Sequence, residues 1–139
     1  MFSFIAKHET GSALLLPLAL MRMRAGFPSP AEDHIDRQLD LNEFIPHPAA
    51  TFYGRLDGDS MEPVMRDGDL LVIDRAIEAK PGHVVIAIHS GDFTVKRLRQ
   101  SGNRWFLSPE NPAYPEIECD EETEIWGVVL INLHWPSLS

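Results

Sequence analysis

From Thr51 onward, short runs of β-branched and aromatic residues alternate with tight-turn pairs, and this spacing constrains the fold more than any other property of the chain. Thr51 to Leu56 is the first strand candidate. Leu70 to Ile73 follows an Asp67-Gly68 turn, and His83 to His89 follows Pro81-Gly82. Ser90-Gly91-Asp92 reads as a hairpin turn into the alternating segment Phe93 to Arg99, and Gly102-Asn103 turns again into Trp105 to Leu107. Trp126 to Trp135 is the last long candidate. The acidic stretch Glu116 to Glu124 reads as surface loop and edge. Strand after strand with tight connections predicts a compact, mostly β domain of mainly antiparallel strands.

The N-terminal part carries a different pattern. Residues 1–25 read as an extended arm with limited structure, because Pro17 interrupts any long helix. Residues 26–48 read as a linker that opens Gly-Phe-Pro-Ser-Pro, and residues 49–139 as the β domain. Within the linker, residues 35–44 have the mixed pattern of one or two helical turns leading to Phe44, closed by Pro46 and Pro48. A chain of 139 residues is long enough for one such domain with a single core.

The net charge of −9 argues against electrostatic DNA binding by the protein as a whole, and no direct sequence-specific DNA contact is expected. Residues 1–25 nevertheless carry Lys7, Arg22 and Arg24 against Glu9 alone. Such an arm can be drawn onto an acidic body within a screening length of about 10 Å, or its charges can simply be solvated. Cys119 is the only cysteine, so no internal disulfide forms, which fits a reducing cytoplasm. Its neighbours Glu118 and Asp120 disfavour a thiolate, and it is read as inert. The apolar run Ala13 to Leu20 is far shorter than the ~20 residues a membrane span needs. Arg22 and Arg24 follow it where an export signal would want small neutral residues, so it reads as a packing segment of the arm, with no membrane association. No cofactor or metal is expected.

Chemistry enters through a serine and a lysine. Ser60 lies in the turn-rich run Gly58-Asp59-Ser60-Met61-Glu62-Pro63, and Lys96 lies on the alternating segment. A serine hydroxyl needs a base to take its proton. A free lysine, with a pKa near 10.4, is charged at neutral pH and fails as that base, but burial disfavours the ammonium. Strand alternation places Lys96 on one face with Thr94 and Leu98, and sends Arg97 to the other. Ala25-Gly26, two small residues between the basic arm and the Pro-rich linker, form a candidate cleavage site in the chain itself. Taken singly, each feature has a plainer reading: a turn serine, a solvent-facing strand lysine, a flexible joint.

Their order along the chain gives them a family. Gly58-Asp59-Ser60-Met61 followed by Asp67-Gly68-Asp69-Leu70-Leu71 resembles the active-serine region of the LexA/UmuD self-cleaving peptidases. Phe93-Thr94-Val95-Lys96-Arg97-Leu98 resembles their lysine strand, and Ala25-Gly26-Phe27-Pro28-Ser29-Pro30-Ala31 their cleavage segment. Asp40-Leu41-Asn42, His47-Pro48, Asn111-Pro112-Ala113-Tyr114 and Trp126-Gly127-Val128-Val129 extend the likeness over about residues 25–132. The resemblance implies Ser60 as nucleophile, Lys96 as general base and a cut between Ala25 and Gly26. It also implies a homodimer in the bacterial cytoplasm, stimulation by a RecA filament on single-stranded DNA after DNA damage, and a shortened product that joins a UmuC-type Y-family polymerase. Alanine stands where the UmuD branch has a cysteine before the scissile glycine, and residues 62–66 read more like the LexA version of that loop.

Two other functions compete. A LexA-like repressor would need a DNA-binding helix-turn-helix before the cleavage segment, and the 25 residues there show little helical pattern. A signal peptidase shares a Ser-Met-x-Pro motif but would need a membrane anchor.

Overall fold

The structure is a computed structural model, and it describes residues 2–7, 15–17 and 38–135. Ten strands form in these residues: β1 (Phe2–Lys7), β2 (Leu15–Pro17), β3 (Gln38–Asp40), β4 (Thr51–Leu56), β5 (Leu70–Asp74), β6 (Val84–His89), β7 (Asp92–Ser101), β8 (Arg104–Ser108), β9 (Ile117–Glu118) and β10 (Thr123–Leu133). Eight of them make one sheet in the order β1-β4-β5-β10-β6-β7-β8-β9, and β2 pairs with β3 separately. Every pairing is antiparallel, which the tight β6–β7 and β7–β8 turns require. Among the described residues no helix is long and apolar enough to cross a membrane.

The sheet buries both of its faces. Val84 and Ile86 of β6 join a cluster with Leu56, Met61, Met65, Leu71, Ile73 and Val95. Their strand neighbours Val85 and Ala87 join a second cluster with Leu98, Leu107 and Val128. A strand covered on both sides needs a continuous apolar run rather than alternation, which is why Val84-Val85-Ile86-Ala87 is apolar throughout and wholly buried. The long strand β10 serves both clusters by bending. Its register shifts between Ile125 and Gly127 against β6, and between Val129 and Ile131 against β5, as β-bulges do.

The turn chemistry read from the sequence is realised in the backbone. Ser90 and Gly91 have φ of 50° and 86°, the two left-handed positions of a type I′ hairpin, and they join β6 to β7. The acidic stretch supplies β9, a two-residue edge strand on β8. Two expectations change. The arm, expected to carry limited structure, supplies Phe2–Lys7 as a strand paired with β4 at the outer edge of the main sheet. Gln38–Asp40 is a strand rather than a helical turn, and a 3-10 turn follows only at Leu41–Phe44. Both changes arise from pairing with distant segments, β4 in one case and Leu15–Pro17 in the other. Ala25 and Gly26 lie in the connection between β2 and β3, outside the described residues.

Candidate active site

Ser60 is positioned by a loop closed at its base and anchored in the core. Gly68 donates its N–H to the Leu56 carbonyl at 2.8 Å, and Leu56 donates to the Asp69 carbonyl at 2.9 Å, so the two ends of the loop meet. Gly58 takes a φ of 95°, which only glycine adopts without strain, and its N–H reaches the Asp67 carboxylate at 2.7 Å. After Ser60 comes a hydrogen-bonded turn, in which the Met65 N–H donates to the Met61 carbonyl at 2.9 Å. Met61 and Met65 are both buried in the first cluster, while Val64 between them is exposed. The serine thus sits one residue from a fully buried methionine that fixes its depth.

A second loop clamps the turn from outside. The Asn111 backbone N–H donates to the Ser60 carbonyl at 3.0 Å, and the Asn111 side-chain amide donates to the Asp59 carbonyl at 3.0 Å. The Tyr114 hydroxyl donates to the Asp59 carboxylate. That hydrogen bond, helped by the negative charge of Asp59, pushes the Tyr114 phenol above its ordinary pKa. Behind the loop, the fully buried Asp69 carboxylate accepts from the Arg66 N–H at 3.0 Å and the Asn132 amide at 3.0 Å, and pairs with His134 Nδ1 at 2.7 Å. Asp74, also fully buried, accepts from the Ala76 and Ile77 N–H groups and pairs with His47 Nδ1 at 2.8 Å, which ties the end of the linker to β5.

The fold brings Lys96 to this serine. Lys96 lies on β7 with only 7% of its surface exposed, and its Nζ is 3.0 Å from Ser60 Oγ. Nζ also reaches Thr94 Oγ1 at 2.8 Å and the Val95 carbonyl at 3.1 Å. Burial lowers the Lys96 pKa below its ordinary value, because an ammonium loses more hydration than an amine does. Arg97, the neighbouring cation in the sequence, is held elsewhere by Glu110 and by the Gly82 carbonyl at 2.6 Å.

This set of contacts suits both protonation states. As an ammonium, Lys96 donates three hydrogen bonds to Ser60, Thr94 and Val95. As an amine it has two N–H groups and one lone pair. The Val95 carbonyl can only accept and so keeps one N–H, while either hydroxyl, Ser60 or Thr94, can donate to the lone pair as the other accepts. Loss of one proton therefore reverses a single hydrogen bond, and when that bond is the one to Ser60 the Oγ–H donates to Nζ.

Of the residues singled out in the sequence, Ser60 and Lys96 are brought together, and Ala25 and Gly26 are outside the described residues. Thr94 was placed on the lysine face without a role, and Asn111 and Tyr114 appeared only as part of a family motif. Asn111 opens a turn in which its side-chain oxygen accepts from the Ala113 N–H at 3.0 Å, an Asx-turn that an Asn-Pro pair already signals. Cys119 behaves as its sequence suggested. Burial first, then the charges of Asp120 and Glu118, raise the pKa of its thiol. Among the described residues no group of His, Cys, Asp or Glu is arranged to hold a metal ion.

Residues 17–130 match the Peptidase S24-like family, and the chain belongs to it. Within that family it is of the LexA/UmuD type. It is 45% identical to Protein SamA of Salmonella typhimurium over 136 residues, covering 96% of each chain. It is 46% identical to Protein ImpA of Escherichia coli over 125 residues, covering 85% of this chain and 83% of ImpA. To the LexA repressor of a Shewanella strain it is 36% identical over 115 residues, 82% of this chain but 55% of the repressor.

Proposed function

We propose that the protein is a self-cleaving switch of the SOS response that cuts its own chain between Ala25 and Gly26. The observation that carries this reading is the 3.0 Å contact between the largely buried Lys96 Nζ and Ser60 Oγ. Neutral Lys96 takes the hydroxyl proton as Ser60 Oγ attacks the Ala25 carbonyl carbon. The tetrahedral intermediate collapses, the Ala25–Gly26 bond breaks, and the Gly26 amine leaves with the proton that Lys96 carried. Water then hydrolyses the Ser60 ester, with Lys96 again as base, and frees the carboxylate of Ala25. Residues 1–25 are the arm removed, 26–48 the linker and 49–139 the peptidase-like domain.

On this reading the trigger is a RecA filament on single-stranded DNA in the bacterial cytoplasm. It supplies no catalytic group. It binds the cleavable pose better than the resting one and so shifts the population toward it. The shortened homodimer then serves as accessory subunit of an error-prone translesion polymerase with a UmuC-type catalytic subunit. Support comes from the relatives SamA and ImpA, which match nearly full length, whereas the LexA repressor extends well beyond the matched region.

The test incubates the full chain with RecA, single-stranded DNA and nucleotide, and follows cutting over time against mixtures that omit one component. Faster cutting only in the complete mixture, with co-purification of the product and a UmuC-type polymerase, is the expected result. Cutting that ignores RecA, or a product that leaves the polymerase unbound, would replace this reading with that of a LexA-like repressor or another self-cleaving regulator without a polymerase role.

A further inference from the structure

The resident strand β1 is seated more specifically than an arm lying on a surface. It pairs antiparallel with β4, from Phe2 opposite Leu56 to Lys7 opposite Phe52, with a register shift between Phe4 and Ala6. Phe2 anchors one end of this contact. Its ring is only 9% exposed and belongs to the same core cluster as Leu56, Met61 and Val95, the last two being chain neighbours of Ser60 and Lys96. The ring lies in a notch made by the missing side chain of Gly54, since a Cβ there would fall 1.7 Å from Phe2 Cε1. It also meets the half-exposed ring of Phe93 at 6.0 Å. At the other end Lys7 Nζ stands 5.9 Å from the centre of the Phe52 ring. Phe52 and Phe93 both pack edge-on against Trp126, so the strand covers a continuous aromatic surface.

We propose that the outer edge of β4 with its Gly54 notch is a binding site for an extended peptide segment bearing an aromatic side chain and a cation, and that Phe2–Lys7 is its built-in ligand. The unpaired backbone groups of an edge strand supply affinity for any extended chain, and side-chain pockets supply the choice of chain. Here the choice is an aromatic ring for the notch and a positive charge for the Phe52 face. This extension rests on the cleavage reading in one respect. Phe2–Lys7 precedes Ala25, so a cut there turns a tethered strand into a separate peptide and removes its high effective concentration. The vacated edge then accepts a segment of similar pattern from another protein.

The test uses the full chain carrying Ser60→Ala, which does not cut, so the groove is examined independently of the cleavage site. Hydrogen exchange should show β4 amides protected in this chain. Adding Phe2→Ala should speed their exchange by about tenfold or more while the amides of β6 and β10 stay protected. A labelled synthetic peptide of residues 1–10 should bind the Phe2→Ala chain, restore the protection, and bind the chain with Phe2 intact about tenfold more weakly. Replacing the peptide's own Phe2 by alanine, or adding Gly54→Val to the protein, should abolish binding. Unchanged β4 exchange in the Phe2→Ala chain, or peptide binding indifferent to its phenylalanine, would overturn the proposal. Should wild-type chain fail to cut between Ala25 and Gly26 while these results hold, the groove stands and cleavage is removed as the event that empties it.

Discussion

Lys96 can act as a base only in the fraction of molecules where it is neutral, and the structure sets how that fraction changes with pH. Burial places its pKa below the ordinary 10.5. Below the folded-state value each pH unit changes the neutral fraction about tenfold, worth ~1.36 kcal/mol. The rate of self-cleavage, followed by loss of full-length chain on gels, should therefore rise about tenfold per pH unit and then level off at a pH below 10.5. No rearrangement limits the rise, because deprotonation reverses only one of the two hydroxyl bonds and keeps the one to Val95. Lys96→Ala should lose the profile and ~10²–10⁴-fold in rate, the usual contribution of a positioned general base. Stability supplies an independent readout. With the folded-state pKa depressed, the unfolded chain binds more protons between the two values, so stability rises with pH through that window. Relative to Lys96→Ala, the wild type should gain stability there and lose it as pH falls through the folded value. A cleavage rate that is flat with pH, or that levels off at or above 10.5, would refute the assignment of Lys96 as a desolvated base.

Three further outcomes follow from the supports of the site. Met61→Ala removes a fully buried side chain beside Ser60 and should cost ~2–5 kcal/mol in denaturant unfolding, with slower cutting even where the chain remains folded. Asp69→Ala removes the buried acceptor of the Arg66 N–H, of the half-buried Asn132 amide and of the solvent-facing His134, and opens the base of the serine loop, so ~1–3 kcal/mol should be lost by the same measurement. Tyr114→Phe removes only the bond to Asp59 on an exposed loop. It should leave the melting temperature nearly unchanged and slow cutting several-fold, and no effect on rate would deny the clamp a role.

The parts of this molecule that were legible in the sequence are those governed by local chemistry. Asp67-Gly68, Pro81-Gly82 and Ser90-Gly91 announced their turns, and strand alternation placed Lys96 with Thr94 and away from Arg97. The continuous apolar run of β6 announced a strand, though not that both its faces would be covered. What stayed hidden depends on pairs far apart in the chain. Nothing local marks Phe2 as a partner for Gly54, since the fit exists only once β1 lies on β4. Asp69 stands in a turn motif and Asp74 carries no sequence signal of its own, and their pairing with His134 and His47 depends on segments that arrive from far along the chain. The Ser60–Lys96 contact was foreseen from motif order, while its third member, Thr94, emerged only with the geometry.

The most direct measurement is the intact mass of purified full chain held alone at alkaline pH, in wild-type and Ser60→Ala forms. The account predicts that the wild type yields two fragments with the masses of residues 1–25 and 26–139, and that Ser60→Ala yields neither. Fragments from a cut elsewhere, or the same fragments from Ser60→Ala, would contradict it.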